Sequence, residues 1–224
     1  MHGLNVLATW SGGKDSCFAC YKAMLDGANI TNLVNTISEE NRRVRFHGIE
    51  DALVQTQAEA IGIPLHQIET SGDNYESDFK EGIRSLISNS NIQGMVFGDI
   101  HLEHCRRWAE KVCKELGIGV MEPLWNKPAR EILLDFMRSG FEACITSCQA
   151  DLVSGKYIGR KLDEKLLEEI SELGIDVCGE NGEFHTIVTD GPIFKRRINI
   201  LESQKVLRNG YWFLDIKECE LVNK

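Results

Sequence analysis

An apolar run at residues 4–8 is followed, two residues later, by Ser11-Gly12-Gly13-Lys14-Asp15-Ser16. A buried strand, a Gly-Gly turn and a helix start leave the chain few arrangements. The strand needs cover on both faces, and the turn needs residues that tolerate tight backbone. The first amides of the helix then point back at the turn with no partner of their own. With the helix dipole behind them and a lysine beside them, these groups surround a point suited to phosphate. Six specified residues arise by chance in about one chain in 10⁵ of this length, at typical residue frequencies. The competing reading is a plain helix cap, with Ser11 or Asp15 at the N-terminus.

Two other phosphate patterns fail here. A Walker A loop needs Gly, four residues, then Gly-Lys-Ser/Thr, whereas Ala8 stands at the first position and Asp15 follows Lys14. The dinucleotide fingerprint Gly-x-Gly-x-x-Gly is absent as well.

Apolar runs alternate with helical periodicity along the next part of the chain. Strands are expected at 4–9, 30–37, 65–68, 93–98 and 118–121, and helices at 15–26, 49–61, 75–87, 102–116 and 129–137. The charged stretch 38–46 reads as a loop, and 141–147 as one more strand. This rhythm predicts an α/β fold, a doubly wound parallel sheet with helices on both faces and ligands beyond the carboxyl ends of its strands. Ser11, Ile37, Gly98 and Asp99 fall at or just past such ends. The pattern changes near residue 150. A helix at 162–173 is followed by strand-like runs at 184–189, 197–206 and 211–218, the last two joined by an Asn209-Gly210 turn. The expected division is a phosphate-binding α/β domain over 1–149 and a smaller α+β portion over 150–224 that takes the substrate.

Composition narrows the classes. With 42% apolar and 26% charged residues in 224, the chain is an ordinary globular protein, and its net charge of −9 argues against a general nucleic-acid binder. No run reaches membrane-span length, and the first residues lack the cationic region of a leader, so no membrane contact is expected. The eight cysteines read as reduced thiols of a cytoplasmic protein.

A second unusual segment is Cys178-Gly179-Glu180-Asn181-Gly182-Glu183-Phe184-His185-Thr186. Glycines at that spacing hold a loop in conformations other residues resist. Glu180 and Glu183 can then face one point as general base, ammonium binder or metal ligand; alternatively they are solvated acids of a turn. Arg106, Arg107 and Trp108 sit on a helix just after Gly98-Asp99, where an arginine can reach phosphates or lie on a solvated face. His101, His104 and Cys105 have metal-ligand spacing without a second cluster. Cys17 and Cys20 share a helix face, which fits core packing better than redox chemistry.

The 11–16 loop resembles the PP-loop of the ATP pyrophosphatases, which cleave ATP between the α and β phosphates. The resemblance implies ATP bound through Ser11, Gly12, Gly13, Lys14, Asp15 and Ser16. Lys14 then neutralises the leaving pyrophosphate, and Asp15 holds Mg²⁺. With Phe46-His47-Gly48, Gly98-Asp99-Ile100, Pro123-Leu124-Trp125 and the double-glutamate segment, almost the whole chain resembles the diphthine–ammonia ligase family of PP-loop enzymes. That family implies a ligase that adenylates a carboxylate and amidates it with ammonia, releasing AMP and pyrophosphate. Lys14, Glu180, Glu183 and His185 would be catalytic, with His47, Gly98, Asp99 and Arg106 at the nucleotide. The partners implied are ATP, ammonia and a carboxylate acceptor, which is diphthine on elongation factor 2 in the family's named member. Homodimer formation is a further expectation. After the second strand, Val44-Arg45-Phe46-His47-Gly48 departs from the family's Tyr-Met-Phe-His pattern, with Phe46 and His47 matching; this resembles a bacterial-type branch. Two alternatives remain: a PP-loop sulfur transferase acting on RNA or a small molecule through a thiol such as Cys17, and a non-catalytic ATP/AMP sensor.

Overall fold

The computed structural model describes residues 3–40, 42–44 and 49–224. The first strand, β1 (Asn5–Thr9), shows why residues 6–8 are uniformly apolar. Val6 and Ala8 enter one cluster with Phe18, Val54 and Ala58, while Leu7 enters another with Phe79, Ile83 and Val112. Successive side chains point to opposite faces, and both faces are covered. The chain continues through α1 (Lys14–Leu25), β2 (Asn29–Ser38), α2 (Asp51–Ile61), β3 (Leu65–Thr70) and α3 (Tyr75–Asn89). β4 (Gly94–Val96), α4 (Glu103–Leu116) and β5 (Gly119–Met121) complete a five-stranded sheet, parallel throughout, in the order β3-β2-β1-β4-β5. Helices α1 and α2 cover one face, α3 and α4 the other. The expected α/β doubly wound fold is present. Its strand order reverses between β1 and β4, which opens a crevice past their carboxyl ends.

After α5 (Ala129–Arg138) comes β6 (Glu142–Gln149), and here the structure departs from expectation. β6 does not extend the parallel sheet. It pairs antiparallel with β7 (Phe184–Asp190) and with β9 (Tyr211–Asn223), which pairs with β8 (Arg196–Arg208) in a separate four-stranded sheet ordered β7-β6-β9-β8. β6 is buried along most of its length. A strand buried on both faces does not reveal whether its neighbours run parallel or antiparallel. The division expected at 149/150 therefore falls inside the second sheet, and we propose the seam at 122–128. The last hairpin turns through Asn209 (φ 49°) and Gly210 (φ 79°), the left-handed pair that Asn-Gly favours, and its strands are longer than expected. The charged segment after β2 also folds back, with bridges Ile37↔Val44 and Arg43↔Glu50. α6 (Glu164–Ser171) starts at Asp163, whose carboxylate accepts from the Leu166 N–H at 2.7 Å.

The two sheets share one core. Phe18 of α1 meets Phe136 of α5 edge-on at 5.8 Å and Phe141 at 5.9 Å, and Phe136 stacks on Phe141 at 4.9 Å. All three lie in the cluster that also holds β1, β6 and β7 residues. Phe136→Ala is expected to cost about 3–5 kcal/mol, the usual range for a fully buried phenylalanine. Because the core is shared, both sheets are expected to melt in one transition; two separated transitions by circular dichroism would contradict it.

Candidate active site

The phosphate-loop residues follow β1 and run into α1. Gly12 has φ +83°, a conformation open mainly to glycine, and Gly13 leads the helix with no side-chain cap. The cap comes from far along the chain, where Thr186 Oγ1 accepts from the Lys14 N–H at 3.0 Å. Ser16 Oγ accepts from the Ser11 N–H at 3.3 Å and donates to the Gly13 carbonyl at 3.2 Å, which closes the loop on itself. Gly98, after β4, must be glycine for a separate reason. A Cβ there would lie 2.8 Å from the Ser16 nitrogen and 2.9 Å from the Asp15 carbonyl carbon. The absent side chain lets the end of β4 touch the first turn of α1.

A cavity of about 610 Å³ opens at this crevice. Ser11, Lys14, Asp15 and Ser16 line it from the loop, Gly98 and Asp99 from β4, and Glu180 and His185 from the second sheet's side. The structure thus brings together two segments more than 160 residues apart in sequence, as the Lys14–Cys178 contact records. Gly12 and Gly13 are not lining residues themselves; the Gly13 N–H donates to the hydroxyl of Ser11, which is one. His47, like Phe46, lies outside the described residues.

Two expected residues stand elsewhere. Arg106 does not line the cavity. Its guanidinium lies over the Trp125 ring at 4.7 Å, and its Nε pairs with Glu110 at 2.9 Å. A single residue step along a helix, about 100°, is enough to swing a side chain away from a site its neighbour lines. Glu183 is buried but turned into its own loop. It accepts from the Asp176 N–H at 3.2 Å, the Asn181 N–H at 3.0 Å and the Asn181 side-chain amide at 3.1 Å. Glu180 and Glu183 therefore do not face one point. Glu183 holds the loop, and Glu180 projects from it.

The charges are tightly linked. Lys14 is buried, and its ammonium donates to Asp15 Oδ2 at 2.8 Å and to the Cys178 carbonyl, and lies over the Phe184 ring. Burial opposes its charge, but Asp15, followed by Cys178 and Glu180, raises its pKa above the ordinary value. Burial pushes the Asp15 carboxyl up against the pull of Lys14, and pushes Asp99 up with help from Asp15. Glu180 is pushed up to about 8 by burial and by Asp15, although Lys14 and the Ile100 N–H (3.3 Å from Oε2) act the other way. His185 is pushed down to about 4 by burial and by Lys14, so its imidazole is neutral near pH 7. Asp15 Oδ1 is buried with no hydrogen-bond partner, as are Glu122 Oε1 and Thr146 Oγ1. Among the described residues no group of three His, Cys, Asp or Glu side chains converges to hold a metal by itself. His101 pairs with Asp176 at 3.2 Å, and Cys105 bonds to Asp99. Cys17 and Cys20 are buried in the core, where burial raises both thiols, Cys20 to about 12.

Several lining residues carried no sequence signal strong enough to single them out. Asn35 is among them, as are Tyr75, Phe79 and Phe97, which form an aromatic wall with Trp108. Gln57, whose amide donates to the Gly12 carbonyl at 2.9 Å, has only a faint sequence signal. It sits on the buried face of α2 among Leu53, Val54 and Ala58. A lone glutamine in an apolar stripe was the available signal.

A switch-point crevice in a doubly wound sheet, with a Gly-Gly-Lys loop after β1, defines a phosphate-loop α/β protein of the PP-loop class. Residues 4–120 match the diphthamide synthase N-terminal domain, and residues 129–222 match the diphthamide synthase C-terminal domain. The chain belongs to the diphthamide synthase family. The diphthine–ammonia ligase of Rattus norvegicus is 30% identical over 97% of this chain and 91% of its own. Those of Homo sapiens and Danio rerio are each 29% identical, over 95% of this chain and 89% and 92% of theirs. A crystal structure titled a predicted subunit of tRNA methyltransferase from Methanocaldococcus jannaschii is 14% identical, covering 84% of this chain and 98% of that one at a TM-score of 0.46. The family is one of ligases, so the expected enzyme class stands, and the sulfur-transfer and sensor alternatives are not favoured. Among the described residues no helix is long and apolar enough to cross a membrane.

The raised Glu180 carboxyl has a measurable consequence. Unfolded, it ionises near its ordinary 4.5; folded, near 8. Between those values the folded chain holds the extra proton, so this residue makes stability fall as pH rises from 4.5 to 8. Glu180→Gln is expected to flatten that slope in urea unfolding followed across the range. Identical slopes in variant and parent would contradict the assignment.

Proposed function

We propose that this chain is an ATP-dependent amidoligase that activates a carboxylate as an acyl-adenylate and converts it to an amide with ammonia. The observation that carries the reading is one cavity shared by the phosphate loop and the Glu180 loop. The acceptor carboxylate attacks the α-phosphorus of ATP, and the bond to the β-phosphate oxygen breaks. Loop amides and Lys14, whose charge is preserved despite burial, stabilise the departing pyrophosphate. Ammonia then attacks the acyl carbon, and AMP leaves. Glu180, with proton affinity near neutral pH, takes the proton that the new C–N bond must shed. The neutral His185 supplies a hydrogen bond in the same cavity without adding charge.

The acid set fits a divalent cation. Asp15 Oδ1 is buried and unpartnered, and Asp99 faces the same cavity. Mg²⁺ held by Asp15, with ATP oxygens completing its shell, would neutralise phosphate charge. Diphthine, named for the relatives, is the acceptor to test first.

Protein incubated with ATP, Mg²⁺, ammonium and diphthine-bearing elongation factor 2 is expected to yield AMP and an amide one mass unit lighter than the acid, about 1 Da by replacement of OH with NH₂. ADP as the product would overturn the reading. Lys14→Ala is expected to abolish AMP formation. Glu180→Gln should slow amide formation by about 10²–10⁴-fold, the usual contribution of a general base. A double Cys17→Ser/Cys20→Ser variant that still folds is expected to stay active.

A further inference from the structure

Gln57 lies at the junction between the phosphate loop and the second sheet and is fully buried. Its Oε1 accepts from the Trp10 indole N–H at 3.0 Å. Its Nε2 donates to the Gly12 carbonyl at 2.9 Å and to the Val188 carbonyl at 2.7 Å. The Gly12 carbonyl also accepts from the Val188 N–H at 3.0 Å. Every polar atom of the glutamine is used, and no other side chain of its size supplies two donors and an acceptor in this arrangement.

The consequence follows from peptide geometry. The Gly12–Gly13 peptide is trans and planar, so its carbonyl and its N–H point in opposite directions. Two donors pull the Gly12 carbonyl toward α2 and β7. The Gly13 N–H must then point the other way, and its partner is the Ser11 hydroxyl at a long 3.3 Å. Ser11 lines the cavity. A phosphate oxygen is a stronger acceptor than a serine hydroxyl and can take over that N–H. A glycine pair is otherwise free to flip this peptide, because glycine tolerates both signs of φ. We infer that Gln57 is a positioning residue for the phosphates: by holding the Gly12 carbonyl it aims the Gly13 N–H into the cavity. This rests on the reading of residues 11–16 as a phosphate loop.

The chain has a single Gly-Gly pair, Gly12-Gly13. Glycine labelled with ¹³C at the carbonyl and with ¹⁵N therefore gives one directly bonded ¹³C–¹⁵N peptide, whose resonance reports both the Gly12 carbonyl and the Gly13 N–H. The full-length protein is titrated with inorganic pyrophosphate and Mg²⁺, and separately with adenosine. In the parent protein the Gly13 proton is expected to move downfield with pyrophosphate and to stay in place with adenosine. Gln57→Met and Gln57→Glu should weaken pyrophosphate binding about tenfold, the equivalent of one buried hydrogen bond, and leave adenosine within about twofold. A general loss of fold would lower both affinities together, so their ratio separates positioning from stability. Folded variants that bind pyrophosphate as the parent does overturn the inference. So does a parent Gly13 proton that saturating pyrophosphate leaves unmoved, whether or not the variants fold. A parent protein that binds neither pyrophosphate nor ATP instead defeats the reading of the loop itself.

Discussion

The candidate site depends on the carbonyl of Gly12 more than on any charged group. That oxygen receives the Gln57 amide from α2 and the Val188 N–H from β7, so three elements distant in sequence meet at one buried acceptor. One residue pair further along, Thr186 Oγ1 caps the Lys14 N–H. Buried polar groups are costly when unpaired, about 1–3 kcal/mol each on mutational scales. Removing the second sheet would leave several of them unpaired at once. The phosphate loop is thus not finished by the parallel sheet that carries it; its geometry is completed by a strand that follows some 170 residues later.

The same junction explains the electrostatics. A buried ammonium is tolerated only among partners, and Lys14 has Asp15, the Cys178 carbonyl and the Phe184 ring. Asp15 spends one oxygen on Lys14 and leaves the other unpartnered. Glu180 is buried with one backbone N–H for a partner, and burial, followed by the field of Asp15, is why its proton affinity climbs toward neutrality. The loop that carries it keeps its shape through Gly179 (φ +72°), where a Cβ would sit 2.6 Å from the Phe184 carbonyl oxygen, and through Glu183. Of two acids three positions apart, one became scaffold and the other stayed available for chemistry.

Much of this was legible beforehand. The five parallel strands, their helices and the Asn-Gly hairpin follow from local periodicity and turn chemistry, which tertiary packing did not override. The phosphate loop was legible because its function depends on neighbours in sequence. Three things were not. β6 joins the antiparallel sheet, since burial on both faces hides strand direction. Arg106 turns to Trp125 and Glu110, since helical position fixes which residues share a face and leaves to packing which face meets the site. Gln57 looks like one polar residue in an apolar helix until the carbonyls it serves are placed beside it.

By itself, then, the sequence determined the local chemistry: a strand, a glycine turn and a helix start that can hold phosphate, and a glycine-bound pair of glutamates. It also determined the family, because those short segments and their order are what the family shares. Only the tertiary structure decided which glutamate enters the cavity, that Lys14 is held by a carbonyl from the far segment, and that Gln57 bonds to the Gly12 carbonyl. The physical reason is range. Backbone conformation and capping act over a few residues, whereas the direction of a peptide plane and the proton affinity of a carboxyl are set by whatever the fold places within a few ångströms.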